Sequence, residues 1–338
     1  MKQSLCAILI AYGCAVTYVS AHAAGFESLQ VTDHGQPDLQ VGVWYPTKVP
    51  PASEPNTEFG LAVALDAPLQ QANGALVVIS HGYSGWYAGH ADTAAALADA
   101  GFIVAAPSHT GNTWSDMSSS PDKWVLDRPR HISKVIDHML NNHRFAKQID
   151  KKKIGVYGFS AGGYTALGLV GGVPDFNEAA QHCKTHPQEY VCADGLIGSL
   201  QQAGLSALPP RAWGYDPRIG AAVMSAPGLA FAYSKDSLSR VHAKVQLWSG
   251  QLDDSVPTET NAALLAARLP ATPETYWIDG ASHFAFMTVA CRESFKRADP
   301  QEYQMVCGDS EGFDRYRFHD DMHVEMVRFY RQSLNIPQ

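Results

Sequence analysis

Residues 153–163 read Lys-Ile-Gly-Val-Tyr-Gly-Phe-Ser-Ala-Gly-Gly, a short apolar run that breaks off in Gly158-Phe159-Ser160-Ala161-Gly162. Such a run predicts a buried strand, and Ala161 to Val170, with good helix formers after the glycines, predicts a helix directly behind it. Ser160 then falls on a sharp strand-to-helix turn that holds it in a strained backbone conformation. Glycines flank it because side chains two residues either way would collide with strand and helix. A turn of this kind exposes the serine hydroxyl beside the N–H groups that begin the helix, at the positive end of its dipole. A plain packing turn would use the same common residues. The strand-turn-helix setting favours a nucleophile.

The rest of the chain is consistent with this setting. Apolar runs at 75–80, 102–106, 219–225, 243–249 and 274–278 alternate with helix-like stretches from about Gly89 to Ala100, Val125 to His143 and Thr258 to Leu269. Alternation of continuous apolar strands with helices predicts parallel strand-helix-strand units with both sheet faces covered. In the stretch after Val125, residues Ile132, Val135, Ile136, Met139 and Leu140 share one helical face. Leu39 to Tyr45 reads as a strand ending at Pro46, with Phe26 to Val31 as a partner, and 46–58 as a loop. A helix from about Asp320 to Leu334 closes the chain. Between Gly171 and Asp216 the alternation breaks, which predicts an insertion over the C-terminal edge of the sheet in an otherwise single domain of residues 24–338.

A serine nucleophile needs a base to take its proton and a carboxylate to orient that base. In an open α/β sheet both belong just past the C-terminal ends of later strands. Asp253 follows the run ending at Ser249, and His283 follows the run ending at Ile278, so Ser160, Asp253 and His283 occur in the chain order of α/β-hydrolases. Asp254 is the neighbouring alternative to Asp253, which is preferred because it stands three residues after Gly250. Asp279 leaves its strand too early to reach behind the imidazole. An oxyanion needs two preorganised donors, and the backbone N–H groups of Ala161 and of Tyr83, in the loop His81-Gly82-Tyr83, are the candidates. His81 itself reads as structural. Trp86, His109, Trp114, Phe159 and Phe284 lie in or beside loops that converge on the same edge and are candidate substrate-binding residues.

The motifs that carry these readings resemble those of the serine-type α/β-hydrolases grouped as predicted dienelactone hydrolases, related to the platelet-activating-factor acetylhydrolases. The likeness runs from about residue 38 to the end. It rests on Ile79-Ser-His-Gly-Tyr83, Ala106 to Thr113, Asp127-Arg128-Pro129, Gly158 to Gly162, Gly250 to Pro257, Ser282-His283-Phe284, the late Cys307, Gly312 to Arg315 and Phe318-His319. It implies an α/β-hydrolase fold, a mostly parallel sheet flanked by helices, and hydrolysis of a small-molecule carboxylic ester through a covalent acyl-enzyme. The dienelactone hydrolases that give the group its name use a cysteine nucleophile where this chain has Ser160. An amidase, a peptidase or a lactonase would share the same three residues. A hydrolase-fold binding protein without activity is a reading of another class.

Composition bounds the partners. With 46% hydrophobic and 17% charged residues the chain is that of a globular protein. A net charge of −8 and a pI near 5.9, with no basic cluster beyond Lys151 to Lys153, argue against nucleic acid or an anionic membrane as partner. The histidines are scattered, with no His-Glu-x-x-His and no Cys-x-x-Cys, so neither a metal nor another cofactor is expected. Residues 1–23 combine Lys2, a mostly apolar stretch and Ala21-His22-Ala23, the pattern of a cleaved secretory signal, and predict a secreted or periplasmic protein with no stable membrane anchor. A lipoprotein signal at Cys14 is the weaker alternative. In an oxidising compartment the remaining cysteines would pair, and their grouping favours Cys183–Cys192 and Cys291–Cys307.

Overall fold

The computed structural model describes residues 24–289 and 291–337, so the secretory signal expected at 1–23 and the alternative at Cys14 lie outside the described residues. The chain opens with strands β1 (Ala24–Val31) and β2 (Leu39–Pro46), a two-residue β3 (Ala64–Leu65) and β4 (Leu76–Ser80). Helix α1 (Ala91–Asp99), β5 (Ile103–Pro107), helix α2 (Pro121–Asn141), β6 (Ile154–Phe159) and helix α3 (Ala161–Leu169) follow. After a helical segment come β7 (Ile219–Ser225), β8 (Lys244–Gly250), helix α7 (Ala262–Arg268) and β9 (Glu274–Ile278). The segment between α3 and β7 holds α4 (Phe176–Thr185), α5 (Tyr190–Ala193) and α6 (Leu196–Gln202); the C-terminal part holds α8 (Glu293–Ala298), α9 (Pro300–Cys307) and α10 (Arg315–Ser333).

The strands form one sheet in the order β3-β1-β2-β5-β4-β6-β7-β8-β9. From β5 to β9 all neighbours are parallel, while β2 joins antiparallel to both β1 and β5. The order reverses at β4: the chain passes outward to β5 and returns past β4 to β6. An open α/β sheet binds its ligand beyond the C-terminal strand ends at such a reversal, which here are those of β4 and β6. Ser80 at the end of β4 lies in register with Gly158, two residues before Ser160.

Both faces of β4 to β8 are buried, which is why these strands are continuous apolar runs rather than alternating ones; the edge strand β9 is only partly buried. Leu76, Val78, Ile154 and Val156 pack on the face covered by α2 and α3. Val77, Ile79, Tyr157 and Phe159 pack on the face covered by α1 and α10. Helix α2 contains Pro129, whose ring removes the hydrogen bond that Val125 would otherwise receive; the Tyr164 hydroxyl donates to the Val125 carbonyl instead, at 3.4 Å. The insertion expected at 171–216 holds α4, α5 and α6, which pack against α2 and against the turn Ala230–Ala232 that follows β7. Cys183 is bonded to Cys192 and Cys291 to Cys307. Among the described residues no helix is long and apolar enough to cross a membrane.

Candidate active site

Ser160 joins β6 to α3 with φ 54° and ψ −116°, a combination that costs a residue with a side chain about 1–3 kcal/mol. Its surroundings hold it there. Its N–H continues the sheet by donating to the Ser225 carbonyl at 3.0 Å, and its own carbonyl accepts from Gly163 (2.8 Å) and Gly228 (3.1 Å). The neighbouring glycines are required by close approach: a Cβ at Gly158 would overlap the Gly162 carbonyl, and one at Gly162 the Ser80 carbonyl. Thus the turn is wedged between β4 and its own helix with no room for a methyl group.

Asp253 and His283 reach the same point. The loop after β8 is tied to the loop after β9, since the Leu252 N–H donates to the Ala281 carbonyl at 2.9 Å and Gln251 to Ile278 at 3.0 Å. Asp253 is 5% exposed, and its Oδ1 accepts from the N–H groups of Val256 (2.7 Å) and Ser255 (3.0 Å). Its Oδ2 lies 2.7 Å from His283 Nδ1, and His283 Nε2 lies 3.1 Å from Ser160 Oγ. With a carboxylate on Nδ1, the imidazole carries its proton there and turns the Nε2 lone pair toward the serine hydroxyl. Asp254 and Asp279 are exposed, and the Asp254 carboxylate accepts from the Ser255 hydroxyl at 3.3 Å, away from the imidazole.

The segment bearing His283 is anchored from below. Its Ala285 carbonyl accepts from His319 Nε2 at 2.9 Å, and its Thr288 hydroxyl donates to Asp92 at 2.6 Å. His319 Nδ1 lies 2.7 Å from the same carboxylate oxygen, Asp92 Oδ2. The two histidines His319 and His323 hold the Asp92 carboxylate well below the usual carboxylate range against the opposing effect of burial. Asp92, His319 and His323 also bring three metal-ligating side chains together, as do His182, His186 and Glu189 beside α4. In the first cluster both His319 ring nitrogens already face protein oxygens.

Gly82 lies against the nucleophile: a Cβ there would stand 3.6 Å from that of Ser160. The loop containing Tyr83 therefore borders Ser160, and Ala161, as the first residue of α3, has an N–H without an acceptor inside its helix. Phe159 and Phe284 flank His283, with ring centres 5.0 and 5.1 Å away. Trp86 is half-buried with its ring edge-on to Tyr87, and Trp114 stands 71% exposed. His109, expected to line a pocket, does not: it is wholly buried, with Nε2 2.9 Å from Ser80 Oγ and Nδ1 3.3 Å from His131 Nδ1. Its polar atoms are used inside the protein, beneath the loop.

One buried residue near the site lies outside the set expected from sequence. Arg128 is wholly buried, although it lies on the apolar stripe Val125, Ile132, Val135 and Met139 of α2. A charge on that stripe is the signal that marks it.

The Dienelactone hydrolase family model matches residues 61–194. No curated protein matches the chain. Among solved structures, a ferulic acid esterase from Streptomyces cinnamoneus is similar, with a TM-score of 0.63 and 19% identity over 94% of this chain and 92% of that one. By its sheet order and these similarities the chain is an α/β-hydrolase in fold, similar to the dienelactone hydrolase family over residues 61–194.

Proposed function

We propose that the protein is a serine hydrolase that cleaves carboxylic esters through an acyl-enzyme. The observation that carries this reading is the row Ser160 Oγ, His283 Nε2, His283 Nδ1 and Asp253 Oδ2, with contacts of 3.1 and 2.7 Å, on a strained strand-to-helix turn. The similarity to the dienelactone hydrolase family and to a ferulic acid esterase supports ester chemistry in particular. Ser160 Oγ attacks the ester carbonyl carbon while its proton passes to His283 Nε2, and Asp253 stabilises the imidazolium that forms. The negative oxygen of the tetrahedral intermediate is received by the N–H groups of Ala161 and Tyr83. Collapse breaks the bond to the alcohol, which leaves with the proton from His283. A water, deprotonated by His283, then attacks the acyl carbon, releasing the acid and restoring Ser160.

The half-buried phenyl ring of Phe284 beside His283 favours an apolar group next to the reacting carbon, whereas Phe159, expected to bind substrate, is buried in the core under His283. Export through the sequence at 1–23 accords with the two disulfides. Residues 24–338 act as one catalytic unit in this reading, with α4 to α6 as a cover beside the site. The reading predicts that matched ester, amide and lactone substrates are turned over with the open-chain ester fastest. Rates on the amide or the lactone equal to or above that on the ester would instead favour an amidase or a lactonase with the same three residues.

A further inference from the structure

The Gly82–Tyr83 peptide unit has two ends with different tasks. Its N–H belongs to Tyr83 and faces the oxyanion in the mechanism above, on which the present inference rests. Its carbonyl oxygen, on Gly82, must point the opposite way because the peptide is trans and planar. That oxygen is held from beneath: His81 Nδ1 lies 2.7 Å from it, the Gly85 N–H donates to it at 3.2 Å, and Arg128 Nη1 reaches it at 3.5 Å. The preceding carbonyl, of His81, accepts from Arg128 Nη2. His81 Nε2 accepts the His109 N–H at 3.0 Å, which leaves the ring proton on Nδ1, directed at the Gly82 carbonyl.

Arg128 spans the whole underside of the site. Besides the two carbonyls it donates from Nη1 to Asn112 Oδ1 at 2.6 Å, from Nη2 to Ser80 Oγ at 3.4 Å and from Nε to Thr165 Oγ1 at 3.2 Å. Thr165 lies on α3, and its hydroxyl donates to the carbonyl of Ala161 at 3.0 Å. The guanidinium thus joins the loop after β4 to the helix that carries the other oxyanion donor. Each of these partners is neutral. The nearby rings of His81, His109 and His131 are kept neutral by burial, with the Arg128 charge adding to the effect. Burying a cation among neutral groups is costly, and it is tolerated where every arm of the fork is hydrogen-bonded.

We infer that Arg128, with His81, is a positioning residue of the oxyanion hole: the two grip successive peptide carbonyls from the buried side and so fix and polarise the N–H of Tyr83 on the reacting side. A carbonyl that accepts from a cation makes the N–H of its own peptide a stronger donor. The buried positive charge also lies one peptide away from the place where the intermediate becomes negative, and no anionic partner competes for it among the contacts above.

The test uses Arg128→Met, which keeps length and removes charge and donors, and Arg128→Lys, which keeps charge and loses the fork. Each is compared with the unaltered protein for kcat and KM on a p-nitrophenyl ester, for inhibition by an arylboronic acid that forms a tetrahedral anionic adduct on a serine, and for thermal melting. Active sites are counted by phosphonate titration so that rates refer to folded, competent protein. Loss of a direct oxyanion donor lowers kcat about a hundred- to a thousandfold. Removal of its anchor is expected to lower per-site kcat about tenfold or more in Arg128→Met, with KM within about threefold and boronate affinity falling in parallel. Arg128→Lys is expected to fall between the two proteins. The inference is overturned if folded Arg128→Met keeps per-site kcat and boronate affinity within about threefold of the unaltered protein. Should Arg128→Met fail to fold, Arg128→Lys takes its place, and the inference is overturned if that variant keeps both quantities unchanged. Ser160→Ala separates the two levels: if it is inactive while both Arg128 variants behave normally, only the positioning role fails, whereas an active Ser160→Ala overturns the hydrolase reading itself.

Discussion

Asp253 and Asp254 are adjacent in sequence, yet they have different environments. Asp253 is buried, with one oxygen on two backbone N–H groups and the other on His283, whereas Asp254 is exposed. The backbone bonds to Oδ1 mean that an asparagine at 253 keeps its place while losing the acceptor that sets the imidazole proton. Asp253→Asn is therefore expected to lower kcat about 10³–10⁴-fold with little change in melting temperature, and Asp254→Asn to leave both near those of the unaltered protein. Steady-state kinetics on a p-nitrophenyl ester checks this, and a large loss in Asp254→Asn with none in Asp253→Asn would reverse the assignment. The choice between the two aspartates was readable from their distance to Gly250, because a Cβ at that glycine would overlap the Ala281 carbonyl. Asp253 turns inward because its Oδ1 is held by the Ser255 and Val256 N–H groups. His109 was misread at the same scale: its place after β5 is that of a pocket residue, but Ser80 and His131 draw its ring under the loop.

At the scale of elements, the parallel strands were legible because burial on both faces leaves a continuous apolar run, and β4, β5, β6, β7 and β8 fall where those runs do. β3 escaped notice because two residues carry no period. Helix α2 starts at Pro121 rather than at about Val125, with Ser120 before it and a proline in the first turn, the punctuation of a helix start. Helix α10 starts at Arg315 rather than Asp320, since the Asp314 carboxylate accepts from the N–H groups of Tyr316 and Arg317 and caps an otherwise polar first turn. The short helices α5, α6 and α8 bury few side chains, so the periodic signal on which such readings depend is faint in them. The three proposed catalytic residues were legible because each follows a strand. The supports were not: Arg128 reaches the loop from α2, and Asp92 and His319 reach the His283 segment from α1 and α10, far from it in the chain.

At the scale of the whole molecule, the protein buries several neutral histidines, and this sets its response to acid. Burial pushes His90 down to about 4 and His131 to about 3, and it drives His81 and His109 well below their ordinary range. The unfolded chain takes up protons near pH 6.5 that these folded rings refuse, so the stability they confer is present above about pH 6.5 and is lost as pH falls toward 4. For His90 alone the loss is on the order of 3 kcal/mol. The depressed carboxylates of Asp92, Asp33 and Glu27 act in a lower window, conferring stability above about pH 4 and losing it below. The melting temperature is expected to fall steadily between pH 7 and pH 4.5, and His90→Gln to flatten that slope; a melting temperature constant over this range would contradict the account. The same burial surrounds the loop that borders the half-buried Ser160, so neutral rings and one buried guanidinium lie beneath that loop. The most direct measurement is labelling with a fluorophosphonate followed by peptide mapping. One label per chain on the peptide holding Ser160, with ester turnover falling in proportion and no label on Ser160→Ala, is the predicted result. Full ester turnover by Ser160→Ala, or a label that abolishes turnover from another serine, would contradict it.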